Sequence, residues 1–219
     1  MERTSIYLFD FDGTLVDSMP SFAAVMLRIL NEYGISYDED VVKIITPLGY
    51  QGTARYFKTL GIDETVEALT EKMNLYAKED YLYHIPAKEG VVETLYALRA
   101  AGASLNVLTA SPHAVLDPCL RRLELWDLFD HVWSCDDFGT TKADPAIYVR
   151  AAEWMGVDAS DVIFVDDNVN AVRTAAEAGV HAYGIYDPSS DDFITEMKAA
   201  SERYLEMLSD LLTEKEKGK

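Results

Sequence analysis

The apolar run Ile6–Phe9 leads directly into two aspartates, Asp10 and Asp12, and then into Gly13. Four consecutive large apolar residues predict a strand that is buried on both faces, as in a parallel sheet. Because side chains alternate along a strand, both carboxylates leave its carboxyl end on the same side. Open α/β sheets bind their ligands at that end of the strands. The stretch therefore predicts a buried strand that ends in a ligand site.

Two carboxylates this close together repel each other unless they share a proton or a cation. Their oxygens suit Mg²⁺, which takes one or two carboxylates and leaves room for a phosphate. An Asp-Gly pair by itself is more typical of an ordinary turn. The prediction of a magnesium site therefore depends on further residues along the chain.

The composition limits the partners that the chain can have. With 49% hydrophobic and 26% charged residues, the chain is typical of a soluble globular protein. No apolar run approaches the ~20 residues of a membrane span, and the first strand begins too early to leave room for a signal peptide. Cys119 and Cys135 lack metal-type spacing, so we expect a reducing cytoplasm. The net charge of −19 argues against nucleic acid or an anionic membrane as a partner.

The spacing of apolar residues predicts two kinds of organisation along the chain. Residues 16–84 favour helices only, with a breaker-rich loop over 46–52. From Pro86 onward strands and helices alternate, and the segment 203–207 is compatible with either state. The predicted strands after the first one are 104–109, 131–134, 162–165 and 180–185.

This alternation predicts an α/β fold, with a Rossmann-like parallel sheet and helices on both of its faces. We expect a catalytic core formed by residues 1–15 and 86–219, and an inserted α-helical cap over 16–85. The acidic surface and the self-contained cap favour a monomer.

Polar residues follow the other predicted strands. Thr109 ends the second strand, Lys142 precedes a helix beyond the third, and Asp166 and Asp167 end the fourth. Each kind of residue also has an ordinary explanation. A hydroxyl residue ahead of a helix, such as Ser111 two residues after Thr109, is usually a helix cap. A loop lysine is usually solvated, and acidic pairs favour helix N-termini. A parallel sheet, however, gathers these strand ends at one edge. Together they predict a crevice that holds two acidic pairs, a hydroxyl and a lysine.

The order of these residues resembles the four motifs of the haloacid dehalogenase superfamily of phosphohydrolases, over roughly residues 5–186. The residues that match the motifs are Asp10, Asp12, Gly13 and Thr14, then Thr109, then Lys142, and finally Asp166 and Asp167. The chain departs from the pattern at Ala143, where proline is common, and at Ala171, where many relatives carry an acid. The insert is similar to the small helical cap of the subgroup that includes phosphoglycolate phosphatase and β-phosphoglucomutase.

The resemblance implies a Mg²⁺-dependent phosphatase that hydrolyses a small phosphorylated metabolite through an aspartyl-phosphate. Asp10 would be the nucleophile, and Asp12 would act as the acid and then as the base. The implied metal ligands are Asp10, the backbone carbonyl of Asp12, Asp167, and Asp166 either directly or through water. Thr109 and Lys142 would bind the phosphate oxygens.

The resemblance also implies that the cap selects the substrate. Within it, Gly49–Arg55 is the candidate specificity loop, with Tyr50, Gln51 and Arg55 facing the substrate. An exposed helix position is the competing explanation for Arg55. His84 and His113 have no partner at a meaningful spacing, and we predict structural roles for both.

Two other functions use similar residues. A mutase would pass the phosphoryl group from the aspartate to a sugar phosphate, although the continuation of motif one through Ser18 is more typical of the phosphatases. A phosphorylation-switched receiver domain also combines an acidic pair, an aspartate, a hydroxyl and a lysine. Its acidic pair lies on the first strand and its lysine on the last, so the order found here argues against it.

Overall fold

The computed structural model describes residues 5–38, 40–45 and 48–216. They form two compact units, one made of the chain up to Asp17 and from Pro86 onward, the other of Ser18–Ile85. Among the described residues, none of the helices combines the length and the apolar character that crossing a bilayer requires.

The first unit is built on a six-stranded sheet with the order β3-β2-β1-β4-β5-β6, in which every neighbouring pair is parallel. Its strands are β1 (Ile6–Phe9), β2 (Ser104–Thr109), β3 (His131–Ser134), β4 (Val162–Asp166), β5 (His181–Ile185) and β6 (Arg203–Leu205). The α-helices among the described residues are α1 (Met19–Glu32), α2 (Val41–Ile45), α3 (Gly49–Thr59), α4 (Val66–Tyr83), α5 (Val91–Ala100), α6 (His113–Arg122), α7 (Cys135–Phe138), α8 (Ala146–Met155), α9 (Val169–Glu177) and α10 (Ile194–Ala200). The predicted parallel α/β fold is confirmed.

Strand β1 lies at the centre of this sheet. Its last residue, Phe9, is opposite Val107 of β2 and Val165 of β4. The chain runs outward from β1 to β3 and then crosses to β4 on the other side. Because such crossovers are right-handed, the helices before and after β3 cover opposite faces. The carboxyl end of β1 is therefore the point at which the strand order reverses, where ligands of open sheets bind.

One face of the sheet is covered by a continuous apolar cluster. Leu8 of β1 and Phe164 of β4 pack with Tyr148 of α8, Val172 of α9 and Met197 of α10. Burying each such side chain contributes about 1.5–3 kcal/mol. This cluster fixes the strand ends against the helices that follow them.

The second unit has its own core, formed by the four helices α1–α4. Met26, Ile29, Phe57, Leu69 and Met73 are buried together in it. Helix α4 packs against both α1 and α3. Its N-terminus is capped because the side chain of Thr65 accepts a hydrogen bond from the Ala68 N–H at 3.0 Å.

The predicted loop over 46–52 is wrong for residues 49–52, since α3 begins at Gly49. Residues 46 and 47 lie outside the described residues. A glycine inside a helix costs about 1 kcal/mol relative to alanine. Here the burial of Thr53, Ala54 and Phe57 on the same helix outweighs that local preference.

Two short elements were not settled by the sequence pattern. The undecided segment 203–207 contains strand β6, which pairs in parallel with β5. Helix α7, which the apolar pattern did not indicate, begins with a capping box between Ser134 and Asp137. Both elements depend on contacts or caps rather than on a periodic run.

Candidate active site

Three buried carboxylates meet at the carboxyl edge of the sheet. Asp10 continues β1, and its N–H donates to the Val165 carbonyl of β4 at 2.9 Å. Asp166 ends β4 and Asp167 follows it, so that one oxygen from each of the three aspartates lies within 4.8 Å of the others. All three residues are buried.

Lys142 is the cation at this edge. Its ammonium donates to Asp10 Oδ1 and, at 2.8 Å, to Asp166 Oδ2. The buried Tyr148 hydroxyl of α8 lies 3.0 Å from the Lys142 carbonyl, which fixes the segment that carries the lysine. Lys142 therefore balances two of the three acids directly.

The protonation of these groups reflects an excess of buried negative charge. The pKa of Asp10 is raised to about 7, because burial and the charges of Asp166 and Asp12 together outweigh the opposing charge of Lys142. Burial and the charges of Asp166 and Asp10 also raise the pKa of Asp167 well above its usual range. Burial alone would lower the pKa of Lys142, but the two carboxylates outweigh it and raise that pKa, so the ammonium stays charged.

One lysine cannot balance three buried carboxylates, and an additional cation would favour their ionised forms. The donor set consists of oxygens only, which suits hard divalent cations such as Mg²⁺, Ca²⁺ or Mn²⁺. Asp10, Asp166 and Asp167 therefore fit a metal ion of this kind.

The loop after Asp12 touches Asp167. Gly13 has a φ of +75°, and a Cβ atom there would lie 2.4 Å from Asp167 Oδ2. The Thr14 hydroxyl donates to Asp167 Oδ1 at 3.3 Å. Glycine is thus required at position 13 both by the backbone conformation and by the close approach of a carboxylate.

Ser111 differs from its predicted role as a helix cap. Helix α6 begins at His113 with Pro112 at its N-cap, and the Ser111 hydroxyl donates to Asp12 Oδ2 instead. The Thr109 hydroxyl accepts a hydrogen bond from the Ser111 N–H at 3.0 Å and is buried. Ser111 is therefore the hydroxyl that reaches the motif-one acid, and phosphate binding by Thr109 stays a prediction.

Sequence reasoning missed Lys88. Its ammonium donates to the carbonyls of Gly13 at 2.6 Å and of Tyr186 at 2.9 Å, and to Asp187 Oδ2 at 2.8 Å. A lysine beside Glu89 in a connecting segment has the pattern of a solvated residue. No local feature of the sequence could have identified its partners.

The prediction that His113 has no partner at a meaningful spacing is wrong. Its Nδ1 lies 2.6 Å from Asp117 Oδ1 and its Nε2 lies 2.8 Å from Asp137 Oδ2. Asp117 is four residues further along α6, which is a spacing that brings side chains together on a helix. This spacing is the sequence feature from which the pairing of His113 with Asp117 could have been predicted.

The predicted substrate residues of the insert lie on α3. Tyr50 stacks on Phe22, with the ring centroids 4.8 Å apart, and packs against the core of the helical unit. Gln51 and Arg55 line a cavity of about 330 Å³ within that unit, together with Glu67 and Glu71 of α4. A contact of these three residues with substrate stays a prediction.

Fold and site together define a Rossmann-like α/β protein with an acidic, lysine-containing site at the carboxyl edge of its sheet. The family model of haloacid dehalogenase-like hydrolases matches residues 7–185. The chain belongs to this family, which confirms the resemblance drawn from the motifs.

Several curated relatives are named phosphoglycolate phosphatase. The one from Nitrosospira multiformis is 32% identical over 182 residues, covering 80% of this chain and 80% of its own length. The one from Colwellia psychrerythraea is 28% identical over 198 residues, covering 84% and 85%. The crystal structure of a candidate β-phosphoglucomutase from Thermotoga maritima is 24% identical and superposes with a TM-score of 0.86 over 99% of this chain and 100% of its own. At this level of sequence identity, the structural similarity shows a shared fold and nothing further.

Proposed function

We propose that this chain is a phosphatase that hydrolyses a small phosphorylated metabolite through an aspartyl-phosphate on Asp10. The observation that carries this proposal is the pairing of a buried Asp10, held by the Lys142 ammonium, with a second acid, Asp12, two residues further on. The relatives named phosphoglycolate phosphatase support a phosphate monoester as the substrate.

In the first step an oxygen of the Asp10 carboxylate attacks phosphorus, and the bond from phosphorus to the leaving oxygen breaks. Asp12 gives its proton to that oxygen, so the product leaves as an alcohol. Water then attacks phosphorus, Asp12 takes the proton of the water, and inorganic phosphate leaves with Asp10 restored. The hydrogen bond from Ser111 holds the Asp12 carboxyl during both transfers.

We propose that Mg²⁺ is the metal and that Asp10, the backbone carbonyl of Asp12, Asp166 and Asp167 hold it. When bound, the ion neutralises negative charge on the transferring phosphoryl group. Lys142 supplies a second positive charge at the same place, and Thr109 binds a phosphate oxygen. Positioning and electrostatics carry most of the catalysis in phosphoryl transfer, so these few groups suffice.

We propose further that residues 16–85 are a cap that selects the substrate, through Tyr50, Gln51 and Arg55. The separate helical core of Ser18–Ile85 supports an inserted unit of this kind. The two buried free thiols support a cytoplasmic enzyme, and the acidic surface supports a monomer.

The test is phosphate release from a panel of monoesters, including phosphoglycolate and sugar phosphates, and from pyrophosphate. Wild type is assayed with Mg²⁺ and with EDTA, beside Asp10→Asn. We expect metal-dependent release that falls about 10³-fold or more in Asp10→Asn, because the nucleophile is lost. Asp130→Asn is the matched control, since Asp130 pairs with Arg99 away from the acidic cluster.

Labelling of Asp10 by a sugar bisphosphate without release would favour the mutase instead. Neither release nor labelling in wild type would contradict the proposed function.

A further inference from the structure

Lys88 sits between two segments that both reach Asp167. Its side chain is only 18% exposed, and its three ammonium donors have three acceptors, on Gly13, Tyr186 and Asp187. An ammonium has no further donor, so Lys88 has none to offer to a substrate phosphate. The role of Lys88 must therefore lie in the backbone segments and the carboxylate that it binds.

On one side Lys88 holds the loop after Asp12. The ammonium bonds the Gly13 carbonyl, and the backbone N–H of Lys88 donates to the Leu15 carbonyl at 3.0 Å. The same loop approaches Asp167 through Gly13 and through the Thr14 hydroxyl. A displacement of this loop would thus move a neighbour of the Asp167 carboxylate.

On the other side Lys88 holds the turn after β5. Asp187 is buried, and its second oxygen accepts from the Ser189 N–H at 2.9 Å and from the Ser189 hydroxyl at 2.6 Å. Burial alone would raise the pKa of Asp187, but the hydrogen bonds from Lys88 and Ser189 lower it below its usual value. In the same turn the Ser190 hydroxyl donates to the Asp167 carbonyl at 3.1 Å.

We propose that Lys88 and Asp187 form a positioning pair that sets the geometry of Asp167 for metal binding. The pair fixes the loop after Asp12, which contacts the Asp167 carboxylate, and the turn after β5, which contacts the Asp167 backbone carbonyl. The proposal rests on the proposed function, in which Asp167 is a metal ligand. Groups that orient a ligand in this way influence metal affinity even though they do not contact the ion.

The test is calorimetric titration of the full-length, metal-free protein with MgCl₂. Lys88→Met keeps an unbranched side chain only one atom shorter and removes its donors, and Asp187→Asn removes the charge with little change of shape. We expect the dissociation constant for Mg²⁺ to rise about 10-fold or more in each variant. The effect of the double variant should be much smaller than the sum of the two single effects, because both changes remove the same contact between Lys88 and Asp187.

Lys198→Met is the matched control. Lys198 belongs to the same unit, its side chain is 52% exposed, and it pairs with the exposed Glu206 at 3.7 Å. We expect its Mg²⁺ affinity to equal that of wild type. Thermal unfolding in EDTA, followed by circular dichroism, separates a positioning role from a structural one.

Weakened Mg²⁺ binding in Lys88→Met or Asp187→Asn, with the circular dichroism of the native fold retained, supports the positioning role. Unchanged Mg²⁺ affinity in both variants overturns it, whatever happens to their stability. Loss of the fold in both variants also overturns it, because the pair would then be structural. A wild type that binds no Mg²⁺ would instead defeat the proposed function.

Discussion

Lys142 and Lys88 belong to the same unit and are buried to a similar extent, but they have different roles. Their side chains are 13% and 18% exposed, and each ammonium bonds at least one buried aspartate. The acceptors of Lys142 are two carboxylates of the three-acid cluster, whereas two of the three acceptors of Lys88 are backbone carbonyls. Lys142 therefore balances charge at the site, and Lys88 holds the chain around it.

The role of a buried lysine thus depends on which groups accept its hydrogen bonds. Removing Lys142 leaves buried carboxylates that repel each other and, in the proposed reaction, the phosphate. Removing Lys88 leaves a loop without its anchor and Asp187 without its cation. In the proposed function, the first change acts on the reaction, and the second acts on the position of Asp167, the proposed metal ligand.

The largest effect should come from Lys142→Met. We expect kcat to fall about 10²–10³-fold at saturating Mg²⁺, because the developing charge on the phosphoryl group loses a fixed cation. Steady-state kinetics over a range of metal and ester concentrations measures it. Lys88→Met at saturating Mg²⁺ should lose much less of kcat. Equal losses in the two variants would remove the distinction between them.

An intermediate effect should come from Gly13→Ala, which disturbs the loop that Lys88 holds without touching the lysine. The new Cβ would meet Asp167, so we expect Mg²⁺ affinity to fall about 10–100-fold by calorimetry. Gly102→Ala is the control, since Gly102 has a φ of +84° and no atom within 4 Å of the added carbon. Both variants should lose about 1–3 kcal/mol of unfolding free energy from the backbone strain. A Gly13→Ala protein with wild-type Mg²⁺ affinity would speak against control of Asp167 by this loop.

The smallest effect concerns a third cation between two acids, His113, whose side chain is 39% exposed. The hydrogen bond with Asp117 raises the pKa of His113, burial opposes it, and Asp137 adds to the rise. Because the folded pKa lies above the unfolded value of about 6.5, the stabilisation is complete below that pH and is lost as the pH rises through the folded pKa.

Thermal unfolding of wild type and His113→Asn from pH 5.5 to 9 tests this expectation. The difference in Tm should be largest at the acidic end and should shrink at the alkaline end. Asp117→Asn should reduce this pH dependence. The effect should stay small because solvent screens an exposed pair, and a difference independent of pH would exclude the ionic contribution.

The sheet could be predicted because its central strands β1 and β4 begin as apolar runs, and because strands and helices alternate after Pro86. The second and third strands were predicted over 104–109 and 131–134, the bounds that the structure has. The start of α3 at Gly49 and the strand β6 could not be predicted, because packing within each unit decides them. Local preference is weak evidence where an element is short or carries glycine.

The meeting of Asp10, Asp166 and Lys142 could be predicted from the sheet alone, since parallel strand ends share an edge. The positions of Ser111 and Lys88 could not. Ser111 reaches Asp12 across 99 positions of sequence, and Lys88 reaches Gly13 across 75. One sequence without its fold contains nothing that joins such residues, and a serine or a lysine in a loop has many ordinary roles.

The two ends of the helical insert are joined within the sheet-containing unit. The Asp17 N–H donates to the Pro86 carbonyl at 3.0 Å, and Val16 forms an antiparallel bridge with Ala87. With respect to the sheet, the segment from Ser18 to Ile85 is therefore an insertion whose two ends are already joined. Doubling the length of a closed loop costs only about 0.6 kcal/mol. An insert of another size or sequence could be exchanged at this place during evolution, with no strand cut and no acid of the site moved.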